Sequence, residues 1–199
     1  MNPISQFRNM YLADARRYLN DCKYDKLLKG GWFAMYSISS KSPGLKYMYW
    51  MRLCNALYGK KAWLPLYYMA LNRYNHYKYK YGIIIPFITD IDKGFYIGHF
   101  GCIVVNEFAV IGKNVNISQG VTIGAINRGK NVGVPIIGDG VYIGPGAKII
   151  GAIRIGNNVA IGANAVVTHN VPDNAVVAGV PARIISMNGA EGYVNRKFE

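Results

Sequence analysis

Residues 137–171 read IGDGVYIGPGAKIIGAIRIGNNVAIGANAVVTHNV, and the spacing inside them decides the fold. Ile137, Ile143, Ile149, Ile155, Ile161 and Val167 recur every six residues, and Gly138, Gly144, Gly156 and Gly162 follow four of them. A second register, Val141, Ala147, Ile153, Val159, Ala165 and Val171, lies four residues after the first. Neither the period of a helix nor the alternation of a strand generates two interleaved sixes. A solenoid of short flat faces does, with an apolar residue at each corner pointing into a stacked core and a glycine or asparagine beside it to permit the turn.

Upstream, Ile91, Ile97 and Ile103 keep the step, with Gly98 after Ile97. The frame then slips by two residues and resumes at Val105, Ile111, Ile117 and Ile123. Such a slip is an insertion bulging from one corner, and insertions in repeat proteins collect on a functional face. The second interruption, about 124–136, is polar, basic and glycine-rich and reads as an extruded loop. Downstream, Pro172 to Arg183 is placed to cover the open end, and the polar residues 186–199 are expected to be a loosely ordered tail.

The first 82 residues have another character. Ile4, Phe7, Met10, Tyr11, Tyr18 and Leu19 fall at helical spacing among Arg8, Asp14, Arg16 and Arg17, which predicts one amphipathic helix to about Leu28, broken near Asn20. Gly30 and Gly31 stop it. Ser42-Pro43 has the chemistry of a helix start leading to Tyr58, and a further helix runs from about Ala62 to Tyr79. Its tail, Arg73 to Tyr81, alternates aromatic and basic residues. That pattern could stack on single-stranded nucleic acid, but it reads first as a basic helix that packs its tyrosines inward and points its lysines at water. The expected organisation is a small α-helical N-terminal domain (1–82), a β-solenoid (83–185) and a tail (186–199).

Composition bounds the function. With 51% hydrophobic and 17% charged residues, the 199-residue chain is not disordered. A formal net charge of +13 points to phosphates, nucleic acid or an anionic membrane surface. Cys22, Cys54 and Cys102 form no CxxC pair, so no zinc site or disulfide framework is indicated, and a reducing cytoplasm fits. No apolar signal region opens the sequence. Of the three histidines, His76 and His169 read as surface residues, whereas His99 sits just after the Ile97-Gly98 corner, before the slip in the frame. An imidazole on such a ledge is a candidate general base.

Residues 98–105 (GHFGCIVV), 114–124 (NVNISQGVTIG) and 136–183, ending in GVPAR, resemble the hexapeptide-repeat acyltransferases. Within them the sequence is most similar to serine acetyltransferase and its relatives in bacterial surface-polysaccharide gene sets. The likeness covers roughly residues 83–185. It implies a left-handed, three-sided parallel β-helix, a homotrimer, and acetyl-CoA bound between neighbouring subunits. His99 aligns with the family's catalytic histidine, and Glu107 keeps a glutamate that orients the site. Pro145, Ala163, Thr168, His169 and Arg183 fall where related sugar acetyltransferases contact CoA, with Arg128 or Lys130 as further phosphate partners.

Departures from the pattern bear on the acceptor. Serine acetyltransferase has an aspartate where this chain has Ile84, and a second histidine where it has Val134. Other members carry their catalytic histidine in the extruded loop, where this chain offers Asn127. Apolar side chains at two polar anchor positions argue against serine and favour a sugar hydroxyl. The resemblance then implies an O-acetyltransferase of a capsule, exopolysaccharide or O-antigen pathway, and the basic charge suits peripheral contact with the inner membrane face. Acetylation of an amino sugar, serine O-acetylation, and a non-catalytic scaffold or nucleic-acid binder remain alternatives. A carbonic-anhydrase-like metal site would need three converging histidines, and His76 lies outside the repeats.

Overall fold

The computed structural model describes residues 2–198. Its first part is five helices: α1 (Pro3–Arg16), α2 (Asp21–Lys29), α3 (Trp32–Ser39), α4 (Pro43–Leu57) and α5 (Leu64–Tyr81), with a 3-10 turn at Lys61–Trp63 before the last. Asn2 caps α1 through the Ile4 N–H (3.0 Å), and Asn20 caps α2 through the Lys23 N–H (3.1 Å), so the break near Asn20 is a full helix boundary. Ser42 occupies the N-cap position of α4 with Pro43 behind it, but its side chain makes no capping bond. Two expectations are corrected here. Residues 32–39 form a helix that no periodicity announced, and Asp14 and Arg17 are buried rather than part of a solvent-facing stripe.

Five coils of β-helix follow. The first holds β1 (Ile83–Ile84), β2 (Asp90–Ile91) and β3 (Tyr96–Ile97); the second β4 (Ile103–Val105), β5 (Val110–Ile111) and β6 (Asn116–Ile117); the third β7 (Thr122–Gly124), β8 (Ile136–Ile137) and β9 (Tyr142–Ile143). The fourth holds β10 (Lys148–Ile150), β11 (Arg154–Ile155) and β12 (Ala160–Ile161), and the last β13 (Val166–Val167), β14 (Val176–Gly179) and β15 (Ala182–Ser186). Equivalent strands stack in parallel as three sheets: A (β1-β4-β7-β10-β13), B (β2-β5-β8-β11) and C (β3-β6-β9-β12-β14-β15). Only the β14–β15 pair is antiparallel. Both six-residue registers point inward. Ile123, Ile143, Ile149, Ile155, Ile161 and Val167 are fully buried, as are the smaller Val141, Ala147 and Ala165. Left-handed backbone at Asn114, Asn158, Asn164 and Asn174 turns the corners.

A stack of coils ends in open sheet edges, whose unpaired N–H and C=O groups need partners. The helices supply side-chain partners for the first coil. Tyr47 and Tyr74 each donate a hydroxyl to Ile85 O (both 2.8 Å), and Tyr47 also accepts from Ile85 N (3.2 Å). Tyr18 does both jobs at Ile97, donating to its C=O (3.0 Å) and accepting from its N–H (2.8 Å). Arg52 donates to Ile91 O and Asp92 O while forming a buried ion pair with Asp14 (2.9 Å), which in turn accepts from the Phe95 N–H (2.9 Å). Burial pushes the Asp14 carboxyl up, and the Arg52 guanidinium and the Phe95 N–H pull against it. One continuous apolar core therefore runs from Phe7 in α1 to Val177 in the last coil.

The C-terminal segment is not loose. Residues 187–198 strap the outer face of sheet C, with Tyr193 stacked on Tyr142 (4.6 Å between centroids) and Ala190 and Val194 buried against Ala160. Asn116 donates to Tyr193 O (2.9 Å), Asn114 exchanges two bonds with the Phe198 backbone, and Arg17 donates to Asn195 O (2.8 Å). Among the described residues no helix is long and apolar enough to cross a membrane.

Candidate active site

The corner from sheet C to sheet A takes six residues from Ile117 to Ile123, from Ile143 to Ile149 and from Ile161 to Val167. In the first coil it takes eight, from Ile97 to Val105, and the surplus is the bulge Gly98-His99-Phe100-Gly101-Cys102. Gly101 (φ 109°) and Cys102 (φ 53°) both adopt the left-handed region to close it. His99 lies on the outside of this bulge, exposed to solvent and not turned into the dry interior. Phe100 beside it is half exposed and rests on Tyr81 (5.4 Å), which stacks on Tyr77 (5.3 Å), so the C-terminal turns of α5 buttress the corner.

The same edge continues as a column of corners. Gly120 N–H bonds Gly101 O (2.8 Å), Gly146 N–H bonds Gln119 O (2.9 Å) and Asn164 N–H bonds Pro145 O (2.8 Å). His99, Gln119, Pro145 and Ala163 thus sit on one line up the prism. Gly146 has φ 73°, a left-handed conformation that glycine adopts without strain, and a Cβ there would also meet the Asn164 side chain. Above Ala163, Ala178 of β14 pairs with Arg183 of β15, which brings that exposed arginine to the head of sheet C.

The remaining candidates lie elsewhere. Glu107 is exposed on the turn after β4, at the corner from sheet A to sheet B, one sheet width from His99. Thr168 and His169 occupy the equivalent corner of the last coil. The extruded loop, expected as irregular, is a small ribbon along that second edge: Ile126 and Gly133 exchange two backbone bonds (3.0 and 2.9 Å), and Asn131 donates to Thr168 O (3.1 Å). Asn127, Arg128 and Lys130 are exposed at its tip. One chain therefore gathers the candidates on two edges, His99, Pro145 and Ala163 on one and Glu107, the ribbon, Thr168 and His169 on the other.

Ile84 is 44% exposed on the outer face of sheet A, next to Val104 at 40%, and Val134 lies half-buried at the base of the ribbon. No polar side chain stands at either position. Among the described residues no three His, Cys, Asp or Glu side chains converge, and His76, His99 and His169 lie on α5 and on two different edges.

Sequence reasoning missed one residue on the His99 column. Gln119 Oε1 is buried without a hydrogen-bond partner, between the His99 bulge and Pro145. A buried acceptor without a protein partner calls for a donor from water or a ligand. The only signal in the sequence is its place in the six-residue step, two residues after Ile117.

The family described as bacterial transferase hexapeptide (six repeats) matches residues 135–169. Serine acetyltransferase of Bacillus subtilis (strain 168) is 36% identical over 146 residues, covering 73% of this chain and 65% of the relative. Serine acetyltransferase of Bacillus pumilus (strain SAFR-032) is 35% identical over 153 residues, covering 77% and 68%. The chain thus spans about two thirds of the length of these curated relatives. Among solved structures, a serine acetyltransferase in complex with CoA superposes with a TM-score of 0.68 at 30% identity, covering 91% of this chain and 70% of that one. The shared fold makes the solenoid a left-handed parallel β-helix preceded by a helical region, against the right-handed rule for parallel crossovers.

Proposed function

This chain belongs to the hexapeptide-repeat acyltransferases, in the serine acetyltransferase family, and from that premise we propose that it is an acetyl-CoA-dependent O-acetyltransferase with His99 as general base. The observation that carries the reading is the eight-residue corner, which departs from the repeat only where it presents an exposed imidazole below the Gln119–Pro145–Ala163 column. His99 takes the proton of the acceptor hydroxyl as that oxygen attacks the thioester carbonyl. The C–S bond then breaks, the acetyl group leaves as an ester of the acceptor, and the thiolate of CoA takes up a proton. No side chain is acylated. General-base assistance of this kind is worth about 10²–10⁴-fold, and orientation in a closed groove adds to it.

A homotrimer unites the two edges. With the outer face of sheet A turned toward the other copies, His99, Gln119 and Pro145 of one subunit face the Glu107, Thr168 and His169 edge and the ribbon of the next. Sheet C is excluded from that contact by its own tail strap. Arg128, Lys130 and Arg183 then border the groove as partners for phosphates. Acetyl-CoA as co-substrate and the free Cys22, Cys54 and Cys102 support a reducing compartment such as the cytoplasm.

The acceptor reading changes from the one the residues alone suggested. Relatives named serine acetyltransferases favour the serine hydroxyl over a sugar. A sugar or polysaccharide-precursor hydroxyl stands as the second reading, because Ile84 and Val134 offer no polar partner to the charged ends of an amino acid. Release of CoA thiol is measured with serine, nucleotide sugars and oligosaccharides in turn, and the product is weighed. Turnover with serine alone discards the sugar reading, and turnover with a sugar alone discards serine. In either case His99→Ala is expected to lower turnover about 10²–10⁴-fold with little change in acetyl-CoA binding. Unchanged turnover removes His99 from the chemistry.

A further inference from the structure

The positive charge of this chain is not spread evenly. Residues 1–82 hold fourteen Lys and Arg against three Asp, whereas residues 83–199 hold nine against seven Asp and Glu. Between Asp25 and Asp90 there is no acidic residue at all, against ten basic ones. Ion pairs neutralise few of these. Among the described residues only Arg16 and Arg52 reach a carboxylate, and Arg52 is buried in the structural node beneath the first coil.

Five of the unpaired basic residues, Lys60, Lys61, Arg73, Lys78 and Lys80, lie on or just before α5. Along α5 the residues Tyr68, Met69, Arg73, Tyr79 and Lys80 fall at helical spacing on the side turned away from the core, and all are exposed, Tyr68 by 62% and Tyr79 by 76%. The tyrosines that pack inward, Tyr74, Tyr77 and Tyr81, are the other half of the same alternating stretch. Lys60 and Lys61 extend the outer face past the start of α5. A cleft of about 250 Å³, mostly apolar, is lined by Leu57, Tyr58, Leu64 and Tyr67 together with these two lysines.

We propose that this face of α5, with Lys60 and Lys61, docks the protein on an anionic lipid bilayer. Cationic heads meet lipid phosphates, while Tyr68, Met69 and Leu64 enter the headgroup boundary, as in helices that lie in the interface plane. The apolar cleft beside two lysines matches the two chemistries one phospholipid offers, an acyl chain below a phosphate. A nucleic acid would stack bases on Tyr68 and Tyr79, but it offers no alkyl chain to the apolar cleft or to Met69 and Leu64. A second copy of the same face is repelled, because it carries no acid to complement its own lysines. The docked helix also has a consequence for the site. Its eighteen residues span about 27 Å and end at Tyr81 against Phe100, so the corner that bears His99 is held beside the bilayer surface. Docking is independent of which hydroxyl is acetylated.

The test is flotation of the full chain with vesicles of phosphatidylcholine alone or of phosphatidylcholine with phosphatidylglycerol. Binding is expected only to the second, weakening as salt rises. Each basic residue near the surface contributes about five-fold in partition, so Lys60→Glu, Lys61→Glu and Arg73→Glu combined should lower it by about 100-fold or more. Lys113→Glu with Lys197→Glu, on the β-helix side, should leave it unchanged. Tyr68→Ser with Met69→Ser should lower partition without altering its salt dependence. Thiol release with a soluble acceptor should be the same in all these variants, which separates failure of docking from failure of the catalytic reading. Equal partition to both vesicles, full retention by the triple variant, or tighter binding to a single-stranded oligonucleotide than to anionic vesicles would each overturn the proposal.

Discussion

The two ends of the solenoid solve one problem in opposite ways. Every coil pairs its backbone with the coils on either side, so the first and last coils each present a row of unsatisfied N–H and C=O groups. At the first coil the partners are side chains of the N-terminal part: three tyrosine hydroxyls, the Arg17 and Arg52 guanidinia and a carboxylate, all buried except the half-buried Tyr18. At the last, sheet C is closed by main chain, as β14 folds back on β15 in an antiparallel hairpin. The main-chain solution needs no buried charge and tolerates substitution. The side-chain solution fixes the first coil at several points, and the one coil fixed in this way is the coil that bears the enlarged His99 corner.

Removing one member of the charge node should therefore have the largest effect on the fold. Arg52→Ala leaves Asp14 buried without its counter-ion and Ile91 O and Asp92 O without a donor, and should cost about 3–5 kcal/mol by chemical denaturation. Replacing both partners, Asp14→Leu with Arg52→Met, should recover part of that loss, since no charge is then stranded. A loss below ~1 kcal/mol for Arg52→Ala would show that the first coil is held by apolar packing alone and erase the contrast between the ends.

The tyrosines give a sharper reading. Ile85 O has two hydroxyl donors, Tyr47 and Tyr74, but Ile85 N–H has one acceptor, Tyr47. Tyr47→Phe strands that N–H and should cost about 1–3 kcal/mol, whereas Tyr74→Phe leaves Ile85 O still paired and should cost about 0.5–1.5 kcal/mol. Equal losses would mean that the hydroxyls contribute only their own average and that satisfaction of the sheet edge is not what they do.

What could be read from the sequence follows the same division. The solenoid announces itself because each coil repeats one steric demand, a branched apolar residue inward and a small or left-handed residue at the corner. For that reason the eight-residue interval from Ile97 to Val105 was visible as an anomaly, and with it His99. The helical cap repeats nothing. Asp14, Arg17 and Arg52 look like the polar face of an amphipathic helix until the coil beneath them supplies carbonyls and amides to bind. Helix α3 escaped because Trp32, Phe33 and Tyr36 are exposed, so its apolar residues trace no single face. The tail strap was hidden because asparagine side chains on the β-helix hold its backbone, and a polar, glycine-containing sequence gives no sign of a surface made to receive it. Gln119 shows the same limit at the site, for its burial is a property of the column and not of its neighbours in sequence.

At the C-terminal end effects should shrink. Tyr193→Ala loses the stack on Tyr142 and should cost about 1 kcal/mol while leaving the coils intact, seen as a small shift in the midpoint of a single unfolding transition.

Arg183→Ala should be smaller still. The arginine is exposed on β15, where its side chain bonds only the neighbouring Ala182 O (2.8 Å), and the hairpin register is set by backbone pairs that the substitution leaves in place. Stability should change by less than about 0.5 kcal/mol, the range of an ordinary surface substitution. A loss of phosphate pairing, by contrast, should raise the KM for acetyl-CoA several-fold with kcat nearly unchanged, because a contact remote from the reacting atoms acts equally on ground and transition states. At the helical end neither charge of the buried Asp14–Arg52 node can be removed without weakening the fold that positions His99, so there stability and activity fall together. At the hairpin end the two are separable, and a drop in kcat at constant KM for Arg183→Ala would show that this end, too, shapes the site.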